Sequence, residues 1–103
     1  MFQAKTAIEN KNLQIDLQGA LDVSGVDIFE RMIAEIDLSS VTTVHIDFNQ
    51  VNFIDSTGIG SILNLIRMLD EHELIYEIVN VQDDIREIFS IIGLEDLMAH
   101  GEQ

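Results

Sequence analysis

The chain of 103 residues contains no cysteine and no proline, and it carries only five basic residues against nineteen acidic ones. Without cysteine there is neither a disulfide framework nor a thiolate-ligated metal site, which fits a reducing compartment. The five cations, Lys5, Lys11, Arg31, Arg67 and Arg86, are scattered, and the formal net charge is −14. Nucleic-acid binding depends on Lys and Arg displacing counterions from phosphates, and anionic membranes attract the same residues, so both are disfavoured as partners. No apolar run approaches the ~20 residues of a membrane helix, and MFQAKTAIEN (1–10) has no signal-peptide core. A soluble, cytoplasmic protein without membrane insertion is expected. The partner that such a charge attracts is a protein with a basic or mixed face.

Hydrophobic residues make up 47% of the chain, enough to fill a core, and neither linker nor repeat interrupts it. One domain over 1–103 is expected, near the usual domain size. NLQIDLQG (12–19) alternates, with Leu13, Ile15 and Leu17 on one face, as a half-buried strand does. Residues 2–9 read as a weaker strand, joined to it by the turn-forming ENKN (9–12). Residues 22–38 change to a helical period, with Val26, Phe29, Met32, Ile33 and Ile36 on one side and Ser24 with Asp27 as a capping pair. A strand over 43–48 follows, then a helix whose apolar positions are Ile59, Ile62, Leu63, Ile66 and Leu69. A strand at 73–79 precedes a helix over 81–93, with Val81, Ile85, Ile88, Phe89 and Ile92 on one face and Gly93 as the stop. A short last turn is expected over 94–99. The predicted class is α/β, in the order β-β-α-β-α-β-α, with a mixed four-stranded sheet and helices mainly on one face.

FIDSTGIG (53–60) is the least generic stretch, because an acid, two hydroxyls and two glycines interrupt apolar residues where a strand gives way to a helix. Ser56 is predicted at the carboxyl end of a central strand, in the first turn of a helix, where open α/β sheets place their sites. Free N–H groups and the macrodipole favour negative charge there. Gly58 and Gly60 would let the backbone turn and leave the hydroxyls uncovered. Spacing alone favours plain capping, since Ser and Thr are ordinary N-caps and glycines ordinary turn residues.

Enzyme readings fail at this junction. GIGSIL (58–63) lacks the third glycine of a dinucleotide fingerprint, since Leu63 stands in its place, and no Walker Gly-Lys-Ser/Thr is present. Ser56 is not in a Gly-x-Ser-x-Gly elbow. His45 reads as the outward side of a strand, His72 as loop and His100 as tail. HELIY (72–76) would need a histidine where Tyr76 stands to hold zinc. No cofactor, no metal and no catalysis are expected.

Together, LQGALD (17–22), VNFIDSTGIGSILNLIRML (51–69) and VQDDIREIFSIIGLEDLM (81–98) resemble a STAS domain of the anti-sigma factor antagonist type. The likeness covers about residues 2–99, with the elements in the same order. GALD (19–22) is similar to the end of that family's second strand, FIDSTGIG to its switch, and IFSIIGLEDL (88–97) to its last helix and turn. The resemblance implies a partner-switching protein. Its unphosphorylated form binds an anti-sigma factor with serine kinase activity and frees a sigma factor, and a PP2C-type phosphatase restores it after phosphorylation. Carried over by position, the acceptor is Ser56, with Thr57 as the lesser candidate. Asp22, Asp55, Thr57, Gly58, Ile59 and Gly60 form the surroundings that meet the partner, and a monomer or weak dimer is expected. DEHE (70–73) departs from the family, whose members often have a glycine pair there. Asp22 also reads as a strand end or a cap of the first helix. The competing function is a STAS scaffold subunit of a stressosome-like or transporter-associated complex, not switched at Ser56. A nucleotide-binding protein or hydrolase using the Gly58/Gly60 turn is a third reading.

Overall fold

Asn10 and Lys11 both take left-handed backbone (φ 53° and 67°), which closes a tight two-residue hairpin between β1 (Gln3–Glu9) and β2 (Asn12–Leu21). The computed structural model describes residues 1–98. After β2 come α1 (Val26–Glu35), β3 (Thr43–Ile54), α2 (Ser56–Glu71), β4 (Ile75–Val79), α3 (Asp83–Ile91) and a 3-10 turn (Glu95–Leu97). The four strands form one sheet in the order β1-β2-β3-β4. β1 runs antiparallel to β2, while β2, β3 and β4 are parallel. The expected order and mixed sheet are what the chain forms. His100 and Ala99, predicted as tail and last turn, lie outside the described residues.

Alternation decides the two sheet faces. Leu13, Ile15, Leu17, Val44, Ile46, Phe48 and Ile78 are buried, and Phe29, Ile62, Leu65, Leu69, Ile85 and Phe89 from the three helices pack over them. Phe48 meets Phe89 edge-on with ring centroids 5.7 Å apart, tying α3 to the sheet, and Phe2 meets Phe29 at 6.2 Å. The opposite face is polar and solvated, with His45 hydrogen-bonded to Asn12 at 2.8 Å and 3.9 Å from Glu77.

Four expectations need correction. β3 continues to Ile54 rather than stopping at Phe48, because two one-residue register shifts against β2 let it keep pairing. These shifts turn Val51 and Ile54 inward and leave Phe53 51% exposed. Leu63 is exposed, because the buried stripe of α2 runs through Gly58, Ser61, Ile62, Leu65, Ile66 and Leu69, one position away. Ile92 is exposed too, lying just past the end of α3. Finally, α1 stops at Glu35, where Ile36 turns to extended backbone, and Phe29 is its one fully buried residue.

The DEHE segment forms a defined helix end. Leu74 N–H donates to Leu69 C=O (3.0 Å) and Glu73 N–H to Asp70 C=O (3.0 Å), with Glu73 left-handed at φ 57°. α3 ends in the same way, through Leu94 N–H to Phe89 C=O (2.7 Å), Gly93 N–H to Ser90 C=O (3.2 Å) and Gly93 at φ 81°. Both are Schellman motifs, whose left-handed position favours glycine. Gly93 is therefore the stop that was expected, while α2 places a glutamate in the same strained conformation. Replacing Glu73→Gly removes a Cβ that opposes left-handed backbone, partly offset by a more flexible unfolded chain. A gain of about 0.5–1 kcal/mol is expected in urea denaturation, whereas Gly93→Ala lowers stability by about 1 kcal/mol.

Candidate functional site

The junction at 55–58 is built around the last carbonyl of β2. Asp55 N–H donates to Leu21 C=O at 3.4 Å, and a Cβ placed on Gly58 would lie 2.1 Å from that same oxygen. Gly58 therefore serves close approach between α2 and the end of β2. Its place is inside the helix and not in a turn, which corrects the expected role. Gly60 is also helical, and a Cβ there would meet nothing within 4 Å, so its missing side chain leaves open surface.

Asp55 caps α2. It holds extended backbone (φ −116°, ψ −174°), its carboxylate accepts from Gly58 N–H at 3.0 Å, and its C=O accepts from Ile59 N–H at 2.9 Å. Plain capping by Ser56 or Thr57 is thus overturned, because the acid already fills that role. Ser56 is the first residue of the helix and Thr57 the second. Both are exposed, and no hydrogen bond engages either hydroxyl among the described residues. Ile59 is half-buried and packs against the core.

The loop before α1 lies alongside. Asp22 Oδ1 accepts from Ser24 Oγ–H (2.6 Å), Ser24 N–H (3.0 Å) and Gly25 N–H (3.2 Å). The Ser24 hydroxyl holds the Asp22 carboxyl below its ordinary range; burial opposes it as the next largest effect, and the Ser24 and Gly25 N–H groups add smaller lowering contributions. The expected Ser24/Asp27 capping pair does not form, because Ser24 is committed to Asp22 and the cap position of α1 is Gly25, which has no side chain to offer. Asp22 does close the entry to α1, since its C=O also accepts from Gly25 N–H (2.9 Å) and Val26 N–H (3.0 Å). Leu21, next to Asp22, accepts from Asp55 N–H and lies against Gly58, so both acids of the expected site sit at one end of the sheet.

Between α1 and α2 runs an open groove of about 430 Å³ in which Ser56, Thr57 and Gly60 meet Val26 and Glu30 of α1. Leu63, Asn64 and Arg67 continue it along α2, with Arg67 donating to Asn64 at 3.1 Å. Sequence reading missed Val26, Glu30, Asn64 and Arg67 as parts of this surface. The last two lie eight and eleven residues after Ser56, a spacing that returns to the same helix face. His45 is engaged with Asn12, and the His72 ring lies 2.9 Å from Met68 C=O, so neither imidazole is hydrogen-bonded to Ser56. Among the described residues no His, Asp or Glu cluster could hold a metal.

Residues 3–102 match the STAS domain family. The chain belongs to that family. It is 28% identical over 94 residues to the anti-sigma-B factor antagonist of Staphylococcus aureus, covering 91% of this chain and 87% of that protein. The corresponding Staphylococcus epidermidis protein is 29% identical over 85 residues, covering 82% of this chain and 79% of the relative. Among solved structures, the anti-sigma factor antagonist SpoIIAA in its unphosphorylated form superposes with a TM-score of 0.76 at 28% identity, covering 96% of this chain and 86% of that one. The phosphorylated form of the Bacillus cell fate determinant SpoIIAA gives 0.72 at 28% identity, with coverage of 96% and 89%.

Two outcomes follow from this geometry. Asp55→Ala removes the cap of α2 and costs about 1 kcal/mol in thermal or urea unfolding, whereas Ser56→Ala stays within about 0.5 kcal/mol of wild type. The Asp22 carboxyl, followed by NMR, titrates below the ordinary aspartate value of about 3.9, and Ser24→Ala moves it upward. Because its folded value is the lower one, its stabilising contribution is complete above that ordinary value. It is lost as pH falls through the depressed folded value.

Proposed function

We propose that this protein is an anti-sigma factor antagonist, a binding module and not a catalyst, switched by phosphorylation of Ser56. In this reading the unphosphorylated form captures an anti-sigma factor with serine kinase activity and releases a sigma factor. A PP2C-type phosphatase reverses the modification. The observation that carries it is the uncommitted, exposed Ser56 hydroxyl at the first position of α2, left free because Asp55 supplies the cap. Relatives that bear the antagonist name, and a structural relative solved in both phosphorylated and unphosphorylated forms, support the same reading.

The physical chemistry is consistent with a local switch. A phosphate adds about −1.5 to −2 charge. Against −14 that is a small change for the whole chain, so bulk charge is not the signal. Two unit charges about 4 Å apart repel by roughly 4 kcal/mol at an effective dielectric near 20, which is about a thousandfold in affinity where a partner carboxylate faces the site. The N-terminus of α2 tolerates an anion, so the fold survives modification. Thr57, exposed one residue on, is the secondary acceptor. The Asp22 loop and the groove beyond Gly60 are the surface against which the partner packs.

With a purified kinase-type anti-sigma factor and ATP, mass spectrometry is expected to place one phosphate on Ser56 and none on the Ser56→Ala chain. Calorimetry is expected to retain binding in Ser56→Ala and to weaken it about a thousandfold in Ser56→Asp, with unchanged circular dichroism. Equal binding by both variants would remove Ser56 as the switch and favour a constitutive scaffold.

A further inference from the structure

The two outer edges of the sheet differ. At β4, Met98 forms a parallel bridge with Ile78 and partly closes that edge. The outer edge of β1 has no strand partner among the described residues. The hairpin turn decides what this edge presents. A two-residue hairpin closes on a hydrogen-bonded pair, here Glu9 and Asn12, and the bonding then alternates along the ladder. The N–H and C=O groups of Ala7 and Lys5 therefore point to β2, and those of Ile8, Thr6 and Ala4 point outward. These last three residues pair with buried Leu13, Ile15 and Leu17, so their side chains lie on the helix side of the sheet. Natural edges are usually guarded by proline, bulges or several lysines. β1 has no proline, keeps an unbroken register over Gln3–Glu9, and carries one lysine.

Beside this edge is an open groove of about 380 Å³, where Ala4 and Thr6 leave Ile28, Met32 and Ile36 of α1 half covered. Ile8, further along the strand, is 46% exposed. The strand thus has small residues at one end and an unburied large one at the other, a pattern complementary to itself when reversed. Charge points the same way. A chain of net charge −14 repels its own copy over most of its surface, yet three of its five cations, Lys5, Lys11 and Arg31, are at this edge, beside Glu9 and Glu35.

We propose that β1 is a self-pairing edge, through which two copies join antiparallel about Ala7 into one continuous sheet. A two-fold axis at Ala7 sets Lys5 opposite Glu9 of the second copy, and the reverse, so that both pairs are of opposite charge. The same register sets Thr6 opposite Ile8 of the second copy, so each Ile8 covers the small side of the other groove. The outward N–H and C=O groups of Thr6 and Ile8 supply the ladder. This surface borders Ile28, Arg31 and Met32 of α1, whereas Val26 and Glu30 border the Ser56 groove. Pairing therefore leaves the Ser56 groove uncovered, and the inference stands or falls independently of the proposed switch.

Sedimentation velocity of the full chain from about 10 μM to about 1 mM tests the pairing, with Lys5→Glu and Glu9→Lys variants. Either variant alone sets like charges opposite each other twice, while an equimolar mixture of the two restores opposite charges at both pairs. Wild type is expected to dimerise, each variant alone at least about tenfold more weakly, and the mixture to recover. Both side chains lie on the solvated face, and a melting curve for each variant checks that it folds. Amide exchange of wild type gives a reading that needs no variant. Thr6 and Ile8 gain protection as concentration rises, while Lys5 and Ala7 are protected throughout. A wild-type chain that stays monomeric to about 1 mM overturns the proposal. So does a dimer indifferent to the charge variants, or a mixture that fails to recover.

Discussion

One carbonyl oxygen, that of Leu21 at the end of β2, organises the functional end of the molecule. It accepts the Asp55 N–H from the end of β3, and the start of α2 packs so closely on it that only a glycine fits at position 58. A strand end, a neighbouring strand end and a helix start are thereby fixed to one another. The polar groups at such a junction must be satisfied, and Asp55 and Asp22 do this for α2 and for the entry to α1. With both acids committed to backbone donors, the hydroxyl of Ser56 has no structural duty. Ser56 is exposed there without cost to the helix it begins.

The two one-residue shifts in β3 belong to the same arrangement. They turn Val51 and Ile54 into the core and deliver Asp55 to the Leu21 carbonyl. Bulges at the end of a strand commonly re-aim the residues that follow. Phe53 is left on the surface by the same device. Its exposure is a consequence of where the chain had to go and not of its own preference for solvent.

The helices lie on one side of the sheet, so α1 has two flanks, each bordering a groove. One flank faces α2 and the Ser56 turn, and the other faces the outer strand β1. Small residues open both: Gly60 on the first, Ala4 and Thr6 on the second. A single helix thus separates the groove beside Ser56 from the outer edge of β1.

Much of this was legible in the residues. Alternation over 12–19 and 43–48 and the helical period over 81–93 depend on the burial of side chains at local spacing, so they fixed class, element order and the inward faces. The FIDSTGIG stretch also stood out by composition, and α2 begins within it. Which residue capped α2 was not legible, because Asp55, Ser56 and Thr57 are all competent caps and only the approach to Leu21 selects among them. The bulges in β3 were hidden for a related reason, since pairing register depends on a neighbouring strand more than thirty residues away. Leu63 was misplaced by one helical position, because several faces of α2 are apolar and packing alone chooses between them. By itself the sequence determined which elements form and in what order. The tertiary structure decided which hydroxyl is free, because that depends on contacts between segments distant in the chain.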